Sequence, residues 1–157
     1  MLDASAIIDG WEHYPVAQFP GLWAWISKEI KSGNILISKV AFKEVKDKYS
    51  ECAKWIDDND IQKIEVSKDI LKFSLDIHKL LGIEGDNYGK GVGENDIIIV
   101  SSAKSMGTIL ISNENVQTKL PHTNKKNYKI PAVCKMEEVG VQCINFLEFI
   151  KKSGQTF

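Results

Sequence analysis

The sequence predicts an α/β fold in which a small parallel sheet is flanked by helices on both faces. Short apolar runs, such as residues 35–37 and 108–112, alternate along the chain with longer stretches of helical periodicity. The length of 157 residues fits a single domain, 1–157, because a chain of this size buries roughly 70% of the surface that it exposes when unfolded. No internal repeat or linker interrupts this alternation.

The composition is that of an ordinary folded protein, with 43% hydrophobic and 26% charged residues. No apolar run approaches the ~20 residues of a membrane helix, and residues 1–10 carry no basic leader, so a cytoplasmic protein is expected. The three cysteines form no CxxC pair, which argues against a disulfide framework or a thiolate zinc site. A net charge of −1 disfavours a general nucleic-acid coat, but it does not exclude a nuclease that holds phosphates through metal ions.

The elements follow from periodicity and from helix start signals. Ser38 and Ser67 are expected N-caps, because a hydroxyl can accept from a free backbone N–H in the first turn. A glycine-rich loop, residues 82–93, is interpreted as a flexible approach to the next helix. Helices are predicted over residues 5–14, 21–31, 39–49, 51–57, 67–81, 95–106 and 144–152, with a short one from Pro131; strands are predicted at Leu2, 35–37, 63–66, 108–112 and 141–142. The helix after Ser67 is predicted to bury a broad face formed by Ile70, Leu71, Phe73, Leu75, Ile77, Leu80 and Leu81.

Acidic residues from distant parts of the chain are predicted to meet at one edge of the sheet. Asp3 follows the first strand, Glu114 follows strand 108–112, and Asp96 lies at the start of the preceding helix. Parallel sheets bind ligands at the carboxyl ends of their strands, where these residues would lie. Glu44 lies one turn beyond apolar residues of its own helix and can therefore reach the edge of a buried face.

Carboxylates gathered in this way require a partner. Two unit charges about 4 Å apart repel by about 4 kcal/mol at an effective dielectric constant near 20, so such a cluster is protonated or binds a cation. Oxygen ligands without nearby His or Cys suit Mg²⁺ or Mn²⁺. Taken singly, each acid also has an ordinary explanation: a strand-end turn for Asp3, a solvated helix face for Glu44, a helix cap for Asp96 and a turn for Glu114.

Four segments resemble, in order, the motifs of the PIN domain, and together they span nearly the whole chain. They are LDASAIID, with Asp3 and Ser5; AFKEVKDKY, with Glu44; GVGENDIIIVSSAKSMG, with Asp96; and TILISNEN, with Ser112 and Glu114. The resemblance implies a Rossmann-like three-layer architecture. It also implies that Asp3, Glu44, Asp96 and Glu114 bind Mg²⁺ or Mn²⁺ and catalyse RNA hydrolysis, with Ser5 and Ser112 in support.

Many proteins with this resemblance are VapC-like toxins, so a cognate antitoxin and a homodimer are expected as well, with no membrane partner. Two departures stand out. Only Met1 and Leu2 precede Asp3, and the last acid is Glu rather than the commoner Asp. We therefore expect Glu114 to lie farthest from a bound ion.

Lysines follow Glu114 in a polar loop, residues 113–129, and they are interpreted either as a solvated surface or as contacts to RNA phosphates. These are Lys119, Lys125, Lys126 and Lys129. Two other functions stay open: a PIN-like binding or scaffold module with little catalysis, and a phosphotransfer enzyme of the haloacid dehalogenase type. The latter requires a second Asp where this sequence has Ser5, which disfavours it.

Overall fold

The computed structural model describes residues 1–121 and 124–157, and it shows a mixed α/β protein that is mostly helical and has short parallel strands. In chain order the elements are α1 (Ala4–His13), α2 (Pro20–Lys31), β1 (Leu36–Ser38), α3 (Lys39–Lys48), α4 (Ser50–Asp58), β2 (Gln62–Ile64), α5 (Lys68–Leu80), α6 (Glu94–Ser105), β3 (Leu110–Ile111), a 3₁₀ turn (Lys125–Asn127), α7 (Ile130–Cys134), β4 (Cys143–Ile144) and α8 (Phe146–Ser153). Among the helices of the described residues, none combines the length and the apolar character needed to cross a bilayer.

Leu2 joins two parallel strand pairs. β1 pairs with β2, and β3 pairs with β4, both in parallel. Leu2 forms a parallel bridge to Ile37 of β1 on one side and to Ile111 of β3 on the other. Its N–H donates to the carbonyl of Leu36 at 2.8 Å, and the N–H of Asp3 donates to that of Ile111 at 2.9 Å. The order across the sheet is therefore β2, β1, Leu2, β3, β4.

This order places Asp3 at the point where the order of the strands along the chain reverses. From Leu2 the chain builds β1 and β2 on one side, and it then returns to build β3 and β4 on the other. In parallel α/β sheets the crevice for a ligand opens at the carboxyl ends of the strands beside such a reversal. Leu2 itself is only 1% exposed, so the expected first strand is present as one buried residue.

The serine caps are confirmed. The Ser38 hydroxyl accepts from the N–H of Ala41 at 3.1 Å, and the Ser67 hydroxyl accepts from that of Ile70 at 3.3 Å. Asp3 occupies the same N-cap position in α1, but its side chain makes no capping bond. The carboxylate of Asp3 is therefore not used to start the helix that follows it.

Several expected boundaries are wrong by one to a few residues. Helix α6 begins at Glu94, with Gly93 as N-cap, so Asp96 lies inside its first turn. The strand expected over 108–112 is reduced to Leu110–Ile111, and the last strand lies at Cys143–Ile144 rather than 141–142. At the start of the expected strand 108–112, the N–H of Thr108 donates at 3.1 Å to the carbonyl of Ala103 in α6 and not to a neighbouring strand.

The broad apolar face expected for α5 is only partly buried. Ile70 and Ile77 are 2% exposed, whereas Leu71 is 49% and Leu75 is 61% exposed. Helix α5 packs against α6 along a single stripe, so apolar residues on its other sides remain in solvent. Periodicity in the sequence overestimated how much of this helix the core could cover.

The glycine-rich loop is anchored to the segment before α7. The N–H of Gly91 donates to the carbonyl of Lys126 at 3.2 Å, and that of Val92 donates to the carbonyl of Tyr128 at 2.8 Å. A Cβ on Gly91 would overlap the backbone around Tyr128. Close approach of two backbones, rather than flexibility, is therefore the requirement that Gly91 meets.

Candidate active site

Asp3 is a buried carboxylate with one oxygen held and one left open. Its side chain is 3% exposed, and its Oδ2 accepts from the hydroxyl of Ser5 at 2.5 Å and from that of Ser112 at 2.8 Å. Its other oxygen, Oδ1, receives no donor from the described residues. Burial without compensation would cost free energy, so the two hydroxyls both stabilise the charge and set its direction.

The two serines are themselves oriented by backbone N–H groups. Ser5 Oγ accepts from the N–H of Asn113 at 3.0 Å, and Ser112 Oγ accepts from the N–H of Glu114 at 3.3 Å. A hydroxyl has a single proton, and with its acceptor side occupied, that proton is free to point at Asp3. The structure therefore brings together Asp3 and both predicted supporting serines, with both hydroxyls donating to the same oxygen of Asp3.

Asp96 lies in the first turn of α6 with the same pattern of one held oxygen. Its Oδ2 accepts from the N–H of Gly93 at 2.8 Å. Burial raises the pKa of Asp96 from 3.8 to about 6, and repulsion from Glu114, Asp3 and Glu44 adds to the rise, while the Gly93 bond opposes it. The four predicted acids therefore lie close enough for three of them to raise the pKa of the fourth.

Glu44 reaches the site from α3. Its Oε1 accepts from the side-chain amide of Asn95 at 2.9 Å, and its Oε2 receives no donor from the described residues. Because Asn95 lies in the first turn of α6, this bond ties the two helices together beside Asp96. Sequence reasoning did not assign Asn95 a role, although its position next to Asp96 was a usable signal.

Glu114 differs, because both of its oxygens are engaged. Oε2 accepts from the N–H of Ile130, the first residue of α7, at 2.9 Å. Oε1 lies 3.7 Å from Nζ of Lys129, and the two side chains are 22% and 37% exposed, respectively. Glu114 thus accepts a hydrogen bond at the start of α7 and is also a member of the acid cluster.

The predicted lysines do not form one group. Lys129 lies at the acid cluster through its ion pair with Glu114. Lys125 and Lys126 line a separate depression together with Lys79, and Lys119 is exposed. A role in binding RNA phosphates remains a prediction for all of them, with Lys129 the best placed.

Asn113 is a residue that sequence reasoning missed. Its side-chain amide donates to Asp9 of α1, and its Oδ1 accepts from the N–H of Phe146, the first residue of α8, at 2.7 Å. Asp9 is also 3.1 Å from Nδ1 of His13. Asn113 therefore fixes α1 and α8 to the end of β3, and its place directly after Ser112 was the only signal in the sequence.

The donor set fits a hard cation in chemistry. Asp3, Glu44 and Asp96 each offer one oxygen that no described residue occupies, and carboxylate oxygens are the ligands that Mg²⁺ and Mn²⁺ prefer. A divalent ion would relieve the repulsion that Glu44 and Asp3 exert on Asp96, which adds to the effect of burial on its pKa. Across residues 1–121 and 124–157, however, no three His, Cys, Asp or Glu side chains are already gathered closely enough to enclose an ion.

Over residues 1–157, the sequence matches a family that is described as a domain of unknown function, DUF4411. Among curated proteins, none matches the chain.

Proposed function

We propose that this chain, which belongs to the DUF4411 family, is a Mg²⁺- or Mn²⁺-dependent endoribonuclease that hydrolyses RNA phosphodiester bonds. One observation carries the proposal: Asp3, Glu44 and Asp96 come from three separate segments, and each has one oxygen anchored by a neighbour and the other without a donor among residues 1–121 and 124–157. Ligands held from behind in this way are typical of metal sites, because outer bonds orient the inner carboxylates.

The strand order supports a PIN-like architecture. Asp3 follows the central position of the order β2, β1, Leu2, β3, β4, and the residues after β3 contribute Ser112 and Glu114. The resemblance of the four sequence segments predicts this convergence. The full three-layer PIN arrangement is part of the proposal, since the strands here are only two or three residues long.

In the proposed mechanism, Asp3, Asp96 and Glu44 would hold the cation, and Glu114 would stand at the outer edge. A bound ion would supply positive charge against the phosphodiester and lower the pKa of the attacking water. Ser5 and Ser112 orient the carboxylate of Asp3, and Asn95 positions Glu44. Lys129 would contact a phosphate with its ammonium group, which it would then share between that phosphate and Glu114.

The test is RNA cleavage by the purified protein with Mg²⁺, Mn²⁺ or EDTA. We expect metal-dependent cuts that leave 5′-phosphate and 3′-hydroxyl ends. Asp3→Asn and Asp96→Asn should abolish them, and Asp47→Asn, an exposed Asp of α3, serves as the matched control. Equal cleavage by all four proteins would show that the activity belongs to a contaminant and would refute the catalytic proposal.

A catalytically weak PIN-like binding or scaffold module is the second candidate. Two observations favour it: the engaged oxygens of Glu114, and the absence of a ready-made metal enclosure within the described residues. Under this alternative, RNA binds in the presence of Mn²⁺ without being cut, and Asp3→Asn leaves binding unchanged. A gel-shift series beside the cleavage assay separates the two functions.

A toxin role, a cognate antitoxin and a homodimer are proposed on the resemblance alone. Induced expression in bacteria should arrest growth, and Asp3→Asn should remove the arrest. A protein from a neighbouring gene should restore growth if it is the antitoxin. Light scattering of the purified chain measures whether it dimerises.

A further inference from the structure

A cleft of about 490 Å³ opens at the carboxyl ends of β3 and β4. Its walls come from the end of α1, the residues after β3, the start of α7 and the start of α8. The lining residues that matter here are Ser112, Glu114, Asn115, Asn145 and Glu148. The proposed mechanism uses only the first two of these, so most of the cleft has no assigned purpose.

The cleft is continuous with the acid cluster. Ser112 lines it and also donates to Asp3 at 2.8 Å. Glu114, the acid of the cluster that follows β3, lines it as well. A strand whose phosphodiester lies at Asp3 and Asp96 would therefore place a neighbouring group of the same strand in the cleft.

Apolar and polar side chains both line the cleft. Phe146, 1% exposed, Ile144, 8% exposed, and Pro131 are among the apolar ones. Leu147, 46% exposed, and Val116, 63% exposed, add apolar surface at the mouth. This combination suits a flat group with apolar faces and a polar edge.

Three side chains at the rim have hydrogen-bonding atoms to spare. Asn115 has no hydrogen-bond partner among the described residues. Asn145 uses its Oδ1 to cap α8, and Glu148 uses its Oε2 to accept from the N–H of Asn145 at 3.2 Å. The amide of Asn145 and Oε1 of Glu148 therefore remain available to a ligand.

A phosphate is a poor match for this cleft. Asp9, Glu114 and Glu148 are acidic, and of the described residues that line it, none is Lys or Arg. Repulsion between a phosphate and these carboxylates would oppose binding. A neutral group that donates hydrogen bonds to a carboxylate matches the charges instead.

We propose that this cleft binds one base of the RNA strand, and that it selects a base with an exocyclic amino group: adenine, cytosine or guanine. The inference rests on the proposed function for its substrate, and it adds a position at which the sequence is read. An ionised Glu148 can only accept, so it pairs with an exocyclic amino group. The one ring N–H on the base-pairing edge of uracil lies between two carbonyl oxygens, and these would repel the carboxylate. Bases of single-stranded RNA are recognised in this way, by apolar contact with their faces and hydrogen bonds to their edges.

The test uses nucleosides, which carry neither phosphate nor charge. Adenosine, cytidine, guanosine and uridine are titrated separately into the full chain with EDTA present, and the side-chain amide signals of Asn115 and Asn145 are followed by NMR. We expect saturable shifts with at least one amino-bearing nucleoside and about tenfold weaker binding of uridine. No saturable shift with any nucleoside, or equal affinity for all of them, would overturn the proposal.

Variants locate the binding. Asn115→Ala and Glu148→Gln should each weaken the binding of the preferred nucleoside by about tenfold, because each removes or alters one hydrogen bond to the edge of the base. Asn87→Ala, an exposed amide in the glycine-rich loop, and Glu51→Gln, in the first turn of α4, are the matched controls and should change nothing. Unchanged affinity in Asn115→Ala and Glu148→Gln would mean that the nucleoside binds at another site, and it would refute the assignment.

The outcome is separable from that of the nuclease proposal. Nucleoside binding that depends on Glu148, together with RNA that is never cut, would support the base site and refute the nuclease. Cleavage that depends on Asp3, together with no nucleoside binding, would support the nuclease and refute the base site.

Discussion

Asp3 and Glu114 are both carboxylates at the ends of adjacent sheet positions, yet the protein uses them differently. Asp3 is buried and fixed by two serine hydroxyls, which leave Oδ1 open. One oxygen of Glu114 accepts from the N–H of Ile130, and the other lies 3.7 Å from Nζ of Lys129, so a cation there would compete with the lysine. The comparison teaches that the residue type does not make a ligand: the direction from which neighbouring donors approach determines which oxygen remains for a cation.

The largest expected effect is on cleavage. Asp3→Asn should lower the rate by more than about a hundredfold, because losing a ligand should cost more than losing an outer contact. Glu114→Gln should stay within about tenfold of wild type, because it keeps an oxygen for Ile130. Initial rates at saturating Mn²⁺ measure both. Equal losses in the two variants would break the distinction between Asp3 and Glu114.

The serine behind Asp3 should matter next. Ser112→Ala removes one of the two bonds to Oδ2 and should weaken metal affinity by about 10- to 100-fold. Ser74→Ala, whose hydroxyl only bonds the carbonyl of Ile70 within α5, is the control. Thermal shift against Mn²⁺ concentration gives the affinity. A Ser112→Ala titration that overlays wild type would mean that Asp3 needs no support from this side.

Asp96→Asn should stabilise the metal-free protein at neutral pH by roughly 1–2 kcal/mol, since its raised pKa marks an unfavourable charge. The pKa of Asp96 is raised from 3.8 to about 6, so the folded state binds the proton more tightly than the unfolded state. Its contribution to stability is therefore present at low pH and lost as the pH rises between these values. Urea denaturation of wild type and variant at pH 4 and pH 7 measures the difference.

The gain from Asp96→Asn should be present at pH 7 and nearly absent at pH 4, where wild type is protonated. Asn keeps an oxygen to accept from Gly93, so the helix start is preserved in both proteins. A variant that is less stable at pH 7 would contradict the electrostatic account of this residue.

The smallest effects concern the α7 side. Glu114→Ala should cost about 1 kcal/mol of stability, because the N–H of Ile130 loses its acceptor. Lys129→Ala should cost less than about 0.5 kcal/mol, because a partly exposed ion pair at 3.7 Å contributes little. Melting temperatures of the two variants test this order. A larger loss of stability in Lys129→Ala than in Glu114→Ala would mean that the ion pair with Lys129 contributes more than the hydrogen bond from the N–H of Ile130.

Local signals predicted the helices well, because caps and periodicity act within one turn. Ser38 and Ser67 cap the helices that were expected to follow them. Strands were predicted less well, since pairing partners decide their ends. The exposed Leu71 and Leu75 show the same limit, because periodicity records which residues are apolar and not how much of a helix its neighbours cover.

The sequence by itself determined which residues could form the site: strand and helix patterns placed Asp3, Asp96 and Glu114 at one sheet edge, and the resemblance to PIN-domain motifs added Glu44, Ser5 and Ser112. Only the tertiary structure decided what each one can do. The oxygen left free on Asp3, the capture of Glu114 by Ile130 and the amide of Asn95 on Glu44 are contacts between segments far apart in the chain. Their physical reason is the single buried Leu2, which holds β1 and β3 on its two sides and so brings those segments to one crevice.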